Sequence, residues 1–477
     1  MKLKSLYFIL ISIPVLFFAS CLGNSDAELS SDPNFVSLTF LKNDSIKGLE
    51  NAVFSLEYDG SVEGDSIIVN LDSLPYNTRI DSVWPVFNFR STHYTWLFQE
   101  TEEGMDTIYL GGNSSSTKND TIDFTRKTWV QNFSAVGTPG RTYPVKVNVH
   151  QVEPDLYVWK ELNSRMPIAA KADVNQKALF FKDNCLFFTA SETTKSMYTS
   201  GKQDNIYGNT WTQGALNFPA TNTTQLKLRH MQVLKNSLFV TDNENRLYKS
   251  DNGEDWTEAA YNVGTGGKIH NLLFSMADSL WAITTKELSA NEKEYRIAYS
   301  TTGTEWTDWG KLPEKELRKF PISEYSALVF KSAAGRPKVL IVGGNSEAGP
   351  LILANWIGQI NAISKQFVLE PLNIKEDLPP VQDAAIIQYD KKILLFGGMN
   401  DQIITPLMES KNEGLSWSVP DSAYNILPES FPARTYQSVF VDETEKRIYI
   451  VGGQDTDGYV FSDVWTAKLN RLNWENK

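Results

Sequence analysis

The chain is poor in the residues that most directly announce a chemistry. Its 477 residues include two cysteines, Cys21 and Cys185. Cys21 falls in an N-terminal leader region, so Cys185 stands alone, which excludes an internal disulfide and a cysteine-based metal cluster. Of the four histidines, only His230 and His270 lie in the C-terminal two-thirds. Basic charge is also short. Forty-five Lys and Arg face 57 Asp and Glu, for a formal net charge of −12. That balance leaves no electrostatic footprint for nucleic acid and no basic patch for an anionic bilayer. After residue 18 no run is apolar enough to span a membrane, and helical periodicity is scarce. Aromatic residues are abundant instead, with 13 Trp, 19 Tyr and 25 Phe. Set in short alternating runs, they indicate an all-β chain.

Residues 1–20 read as a signal peptide. Lys2 and Lys4 make a short positive start, and residues 6–18 form an apolar run too short and poorly flanked for a span. The run ends Phe18-Ala19-Ser20-Cys21, which resembles a bacterial lipobox, with Phe18 where Leu is commoner. The resemblance implies cleavage before Cys21, lipidation of Cys21, and membrane attachment through acyl chains. The expected location is the cell envelope, as an outer-membrane lipoprotein that is periplasmic or surface-exposed. Asp26 and Glu28 shortly after Cys21 are compatible with surface export.

Residues 21–33 are small and polar, as a flexible tether should be. Residues 34–153 carry about seven short alternating strands, among them 36–40, 66–71 and 143–149, and predict an Ig-like β-sandwich acting as a spacer. The Tyr-x-Val-x-Val strand at 143–147 is expected to close one sheet edge. Pro154 interrupts the strand pattern, and a new grammar covers residues 155–477.

There an apolar run, a tight polar turn, a second strand and an outlying aromatic recur. The aromatic anchors are Trp211, Trp256, Trp306, Phe367, Trp417 and Trp474, spaced 45 to 61 residues apart. A four-stranded unit of about 40–50 residues is the signature of a β-propeller blade, and six repeats predict six blades. Trp159 stands one further blade length before Trp211. Only three residues follow Trp474, so the strand around Trp159 is expected to close the ring by pairing into the last blade. Cys185, in the apolar hairpin 179–188, reads as a buried position.

The later blades end a strand in Gly343-Gly344, Gly397-Gly398 and Gly452-Gly453, and Phe431-Pro432-Ala433-Arg434-Thr435-Tyr436 precedes the last pair. These resemble kelch repeats, in which glycine permits positive φ and close packing. Other blades resemble the Asp-box turn of sialidase-like propellers, best in residues 249–256 with Asp251, Gly253 and Trp256. Weaker copies carry Thr301 or Asn412 at the Asp position. In that resemblance the Asp251 carboxylate accepts backbone N–H groups across the turn while the Trp packs between blades. The whole layout resembles uncharacterised two-domain lipoproteins of Bacteroidota with an Ig-like domain and a kelch or galactose-oxidase-like propeller, which implies an envelope location and no particular activity.

Complete catalytic constellations are missing. A sialidase needs an arginine triad, a Tyr–Glu pair and an acid/base Asp, and Arg318-Lys319-Phe320-Pro321 is a poor, misplaced match to its Arg-Ile-Pro motif. A copper oxidase of the galactose-oxidase type needs two His, two Tyr and a Tyr–Cys cross-link, and His230, His270 and Cys185 lack the motif surroundings. No metal or cofactor is therefore expected. Alignment of the innermost strands yields a more specific expectation. Lys177, His230, His270, Tyr325, Asp383 and Tyr436 each precede an apolar run, and pseudo-symmetry sets them around one mouth of the central channel. Such a ring suits a glycan or protein ligand, and its two histidines suggest pH sensitivity between about 5 and 8. The alternatives are that these side chains tie blades together or hold channel water, that the propeller is a glycan hydrolase or lyase, or that it is an assembly subunit using loops such as 312–324.

Overall fold

The computed structural model describes residues 29–470 except 47, 59–65, 112–120, 169–174, 192–193, 221, 223, 265, 290–291, 312–318, 348, 350–354, 373–377, 404–406 and 421–426. The leader, Cys21, Asp26, Glu28, Trp474 and most of the 312–324 loop therefore lie outside the described residues. Strands dominate, and the only helices among the described residues are two 3-10 turns, Leu49–Asn51 and Leu228–His230. None of the described helices is long and apolar enough to cross a membrane. The chain divides into two compact units, with the division between Pro154 and Asp155.

The first unit is a β-sandwich of eight strands rather than about seven. Phe35–Phe40 and Pro85–Phe89 form one two-stranded sheet. The other runs Phe54–Tyr58, Ser66–Asn70, Pro139–Lys146, Thr128–Phe133, Tyr94–Thr101, Gly104–Tyr109 in spatial order. Alternation decides the core. Leu38, Phe40 and Phe87 from the small sheet meet Ile68, Leu97, Val130 and Tyr143 from the large one, as period-2 side chains on facing sheets must. The Tyr-x-Val-x-Val strand does not close an edge. Ile68 and Val69 pair parallel with Val145 and Lys146 on one side, and Thr128–Phe133 pairs on the other. A strand apolar enough to be buried on one face and hydrogen-bonded on both sides is an interior strand.

The second unit is a ring of six sheets. In four of them four strands lie in chain order from the inside outward: Gln176–Phe181 to Thr212–Gly214, Gln232–Leu234 to Thr257–Glu258, Lys268–Met276 to Glu305–Lys311 (with the earlier strand Asn262–Val263 added parallel outside it), and Ser326–Lys331 to Phe367–Leu372. We call these blades 1 to 4. Blade 5 has Ala385–Tyr389, Lys392–Phe396 and Met408–Ser410, with Ser418 bridged to Glu409. Blade 6 runs Ser438–Asp442, Arg447–Val451 and Val464–Leu469, and Tyr157–Glu161 is its outer strand, Trp159 opposite Ala467. The ring is closed by the strand at its own N-terminal end.

The aromatic anchors work between blades. Trp256 of blade 2 is 4 % exposed and packs edge-on against Phe188 of blade 1, 6.1 Å between ring centroids. Trp306, Phe367 and Trp417 are likewise buried in clusters shared with the preceding blade. Cys185 is buried between blades 1 and 6 with Phe187 and Tyr449, where loss of water pushes its thiol pKa up. The first glycine of each pair meets the next blade. A Cβ on Gly343 would lie 2.0 Å from the Val381 carbonyl, and one on Gly397 2.2 Å from that of Arg434.

The turns before Trp256 and Trp306 use a different acceptor from the one the Asp-box resemblance implies. Ser250 and Ser300 each accept the N–H of the glycine three residues on, at 2.8 Å. That glycine, Gly253 or Gly303, accepts the indole N–H of the Trp at 2.9 Å. Ser200 and Ser410 accept from Gly208 and Gly414 in the same way. Asp251 takes the Ser237 hydroxyl and the Lys249 ammonium instead, while Asn252 accepts the N–H groups of Glu254 and Asp255. A buried glycine N–H needs an acceptor beside it, and the serine that ends the third strand is already there.

Candidate ligand site at the channel mouth

The site begins in the backbone. In blades 4 to 6 the chain enters the inner strand through one left-handed residue, Glu324, Asp383 or Tyr436, with φ of 55°, 55° and 61°. The residue before each is bridged to the residue after its own blade's glycine pair. The Asp383 N–H donates to the Glu324 carbonyl at 2.9 Å and the Tyr436 N–H to the Asp383 carbonyl at 3.3 Å. Three successive blades thus bring an acid, an acid and a phenol together. The true counterpart of Asp383 and Tyr436 is Glu324, and Tyr325 lies one residue past it.

Blade 2 answers from another part of the ring. The 3-10 turn Leu228–His230 is held by Asn175, which accepts the Leu228 N–H at 3.2 Å and donates to the Leu226 carbonyl. From it Arg229 sets its Nε 2.8 Å from Asp383 and its guanidinium 4.6 Å from the Tyr436 ring centroid. His230 lies 4.6 Å, ring to ring, from Tyr325, whose hydroxyl donates to the Leu272 carbonyl at 2.7 Å. His270 is the extra residue of a bulge in Lys268–Met276. Its carbonyl accepts the Lys227 ammonium at 2.7 Å.

Two adjoining cavities result, sharing Arg229 and His230 in their walls. The channel cavity, about 140 Å³, is lined by Lys177, Gln232, Tyr325, Ser326 and Gln437. The mouth cavity, about 320 Å³, is lined by Asn175, Lys227, Asn243, His270, Glu324 and Tyr436. The expected ring is therefore split. Lys177, His230 and Tyr325 face the channel, and His230, His270 and Tyr436 face the mouth. Asp383 lines neither, because it is fully buried behind Arg229. Tyr325 spends its hydroxyl on a neighbouring blade.

Burial dominates the electrostatics. It lowers Lys177 to about 8, helped by the charge of Arg229, and lowers Lys227 to about 8 against the opposing pull of Asp242. His270 falls to about 4, through burial and the charges of Lys227 and Lys293. His230 falls well below its ordinary value through burial and its cationic neighbours. Both imidazoles are thus neutral at physiological pH, and the histidine titration expected between 5 and 8 does not occur there. Glu324 moves the other way. Burial and the adjoining Asp383 carboxylate raise it well above the carboxylate range, so it is protonated near neutrality. Burial and the same acid raise Tyr436.

Residues 153–477 match the family described as the DUF6242 beta propeller domain, and residues 36–147 match the domain of unknown function (DUF6242) N-terminal domain. The chain belongs to the DUF6242 family. A solved structure, titled "Structure of YjhT", is similar at 12 % identity with a TM-score of 0.45, over 64 % of this chain and 95 % of that one. No curated protein matches. In this DUF6242 protein the residues that repeat alignment misses are Lys227, Arg229 and Glu324. They sit in interblade loops, where pseudo-symmetry is weakest. One signal was present: three basic residues within Lys227-Leu228-Arg229-His230, inside an acidic chain.

Proposed function

We propose that this DUF6242 protein is a cell-envelope lipoprotein, anchored through Cys21, whose propeller binds a carbohydrate at the mouth of its channel while the N-terminal sandwich serves as a spacer. The observation that carries the binding reading is the mouth cavity itself. It is of small-molecule size and ringed by polar groups from several blades, as ligand pockets are. One of those groups is uncommitted: Asn271 Oδ1 is buried without a partner among the described residues. Such a group is costly in isolation and useful to a ligand rich in hydroxyls. The anchoring reading rests on the leader and the residues before Cys21.

Two experiments test the proposal. Cys21→Ser is expected to leave the membrane fraction or to stay unprocessed, and a processed variant retained in membranes would remove the lipid anchor from the account. On a glycan array the intact protein is expected to retain a carbohydrate. Tyr436→Ala, which opens the mouth wall, should weaken that signal without unfolding the propeller. A blank array, or retention indifferent to Tyr436, speaks against the mouth as the binding site.

A further inference from the structure

The polar groups at the junction of the two cavities are unbalanced in one direction. Arg229 places its Nε against Asp383, and no hydrogen bond ties its two terminal nitrogens to any described residue. Lys177 lines the channel cavity within electrostatic range of Arg229 and makes neither a hydrogen bond nor an ion pair with any described residue. Lys227 adds a third cation on the mouth side. Against them stand the Asp383 carboxyl, which is fully buried and reaches neither cavity, and Asp242, whose charge acts on Lys227 alone of the three. The acid that does reach the mouth, Glu324, is held protonated by burial and by the adjoining Asp383. The junction therefore has donors and positive charge to spare and almost no negative charge.

Lys177 and Arg229 are half-buried within electrostatic range of each other and only Arg229 has a counter-charge, so desolvation and repulsion both weigh on the Lys177 ammonium. A negatively charged group seated between them relieves both costs. Away from the junction the mouth is different. Asn175, Gln225, Asn243, Asn271 and Ser323 supply amides and a hydroxyl, the groups that recognise ligand hydroxyls. At about 320 Å³ the cavity lies at the small end of ligand pockets, room for one or two sugar rings. We infer that the ligand is an acidic saccharide of the uronic acid class, whose carboxylate sits at the junction against Lys177 and Arg229 while its hydroxyls meet the amides of the mouth. This rests on the carbohydrate-binding reading above and specifies its chemistry.

The deciding experiment compares the full chain with its Lys177→Met and Arg229→Gln variants. The probes are neutral oligosaccharides, uronate-bearing oligosaccharides, the methyl esters of the latter, and acetate or inorganic phosphate alone. The expected result is binding of uronate-bearing oligosaccharides, loss of binding on esterification, and at least about tenfold weaker binding in Lys177→Met, the scale of one charge-assisted hydrogen bond. Arg229→Gln should weaken binding as well, but it also strips Asp383 of its partner and is expected to fold poorly. Lys177 has no partner to strand, so Lys177→Met carries the test. Its thermal unfolding midpoint should be unchanged or raised, which a merely structural lysine would not give. Binding confined to neutral glycans overturns the acidic inference and leaves the carbohydrate reading standing. A blank panel removes both. Acetate or phosphate binding as tightly as any saccharide overturns the saccharide assignment, and uronate binding indifferent to Lys177→Met overturns its place at the junction.

Discussion

Lys177 and Trp256 mark two ways a single side chain serves this fold. Trp256 is a filler of space between blades, with Phe188 edge-on and Phe218 stacked 5.0 Å away. Truncation to Ala is expected to cost about 3–5 kcal/mol, as removal of large core aromatics does, and urea unfolding measures it. Ready quenching of Trp256 fluorescence in the folded protein would contradict its burial. Lys177 is the reverse case, a residue the fold tolerates at a cost. Its pKa is about 8 when folded, against an ordinary 10.5, so between those values the unfolded chain holds more protons than the native one. Stability from this group therefore rises with pH through that window. The penalty is full below about 8 and vanishes above about 10.5. The stability gap between Lys177→Met and wild type should accordingly shrink between pH 8 and 10. A constant gap would mean that the ammonium is solvated.

At the scale of the element, the recurrent unit is a serine, a glycine with positive φ and, in blades 2 and 3, the indole that the glycine receives. Ser250→Ala leaves the Gly253 N–H buried without an acceptor, and is expected to cost about 1–3 kcal/mol. Asp251→Asn should be close to neutral, since that side chain is exposed and its ion pair with Lys249 is a surface one. Denaturant unfolding of the two variants side by side separates the serine-based turn from the aspartate-based one that the sequence resembles. The left-handed residues Glu324, Asp383 and Tyr436 are a second recurrent device. They aim three consecutive loops at one point, and the mouth cavity is walled partly by that convergence.

For the whole molecule the decisive feature is closure by a strand from the far end of the chain. Tyr157–Glu161 pairs with Val464–Leu469 across some 300 residues, so the ring is a single cooperative object with protected edges. Lys160 lies opposite Thr466 in the middle of that ladder. Proline there cannot donate a hydrogen bond, and Lys160→Pro is expected to lower the thermal midpoint and broaden the transition. Retained cooperativity at the wild-type midpoint would show that closure is dispensable.

Much of this was legible in local pattern alone. Strand alternation, the spacing of Trp211, Trp256, Trp306 and Trp417, the glycine pairs and the break at Pro154 are short-range signals, because each reflects a hairpin or turn formed within one blade. They determined the all-β class, the two units, the six blades and the general region of the mouth. Tertiary structure decided what no local pattern encodes. A one-residue offset made Glu324 rather than Tyr325 the partner of Asp383. An arginine from blade 2 met that aspartate 154 positions further along the chain. The depressed histidines and lysines, too, came only from being enclosed together. Side chains from different blades share water or exclude it only once the ring is shut, and on that exclusion depend their charges and the chemistry of the site.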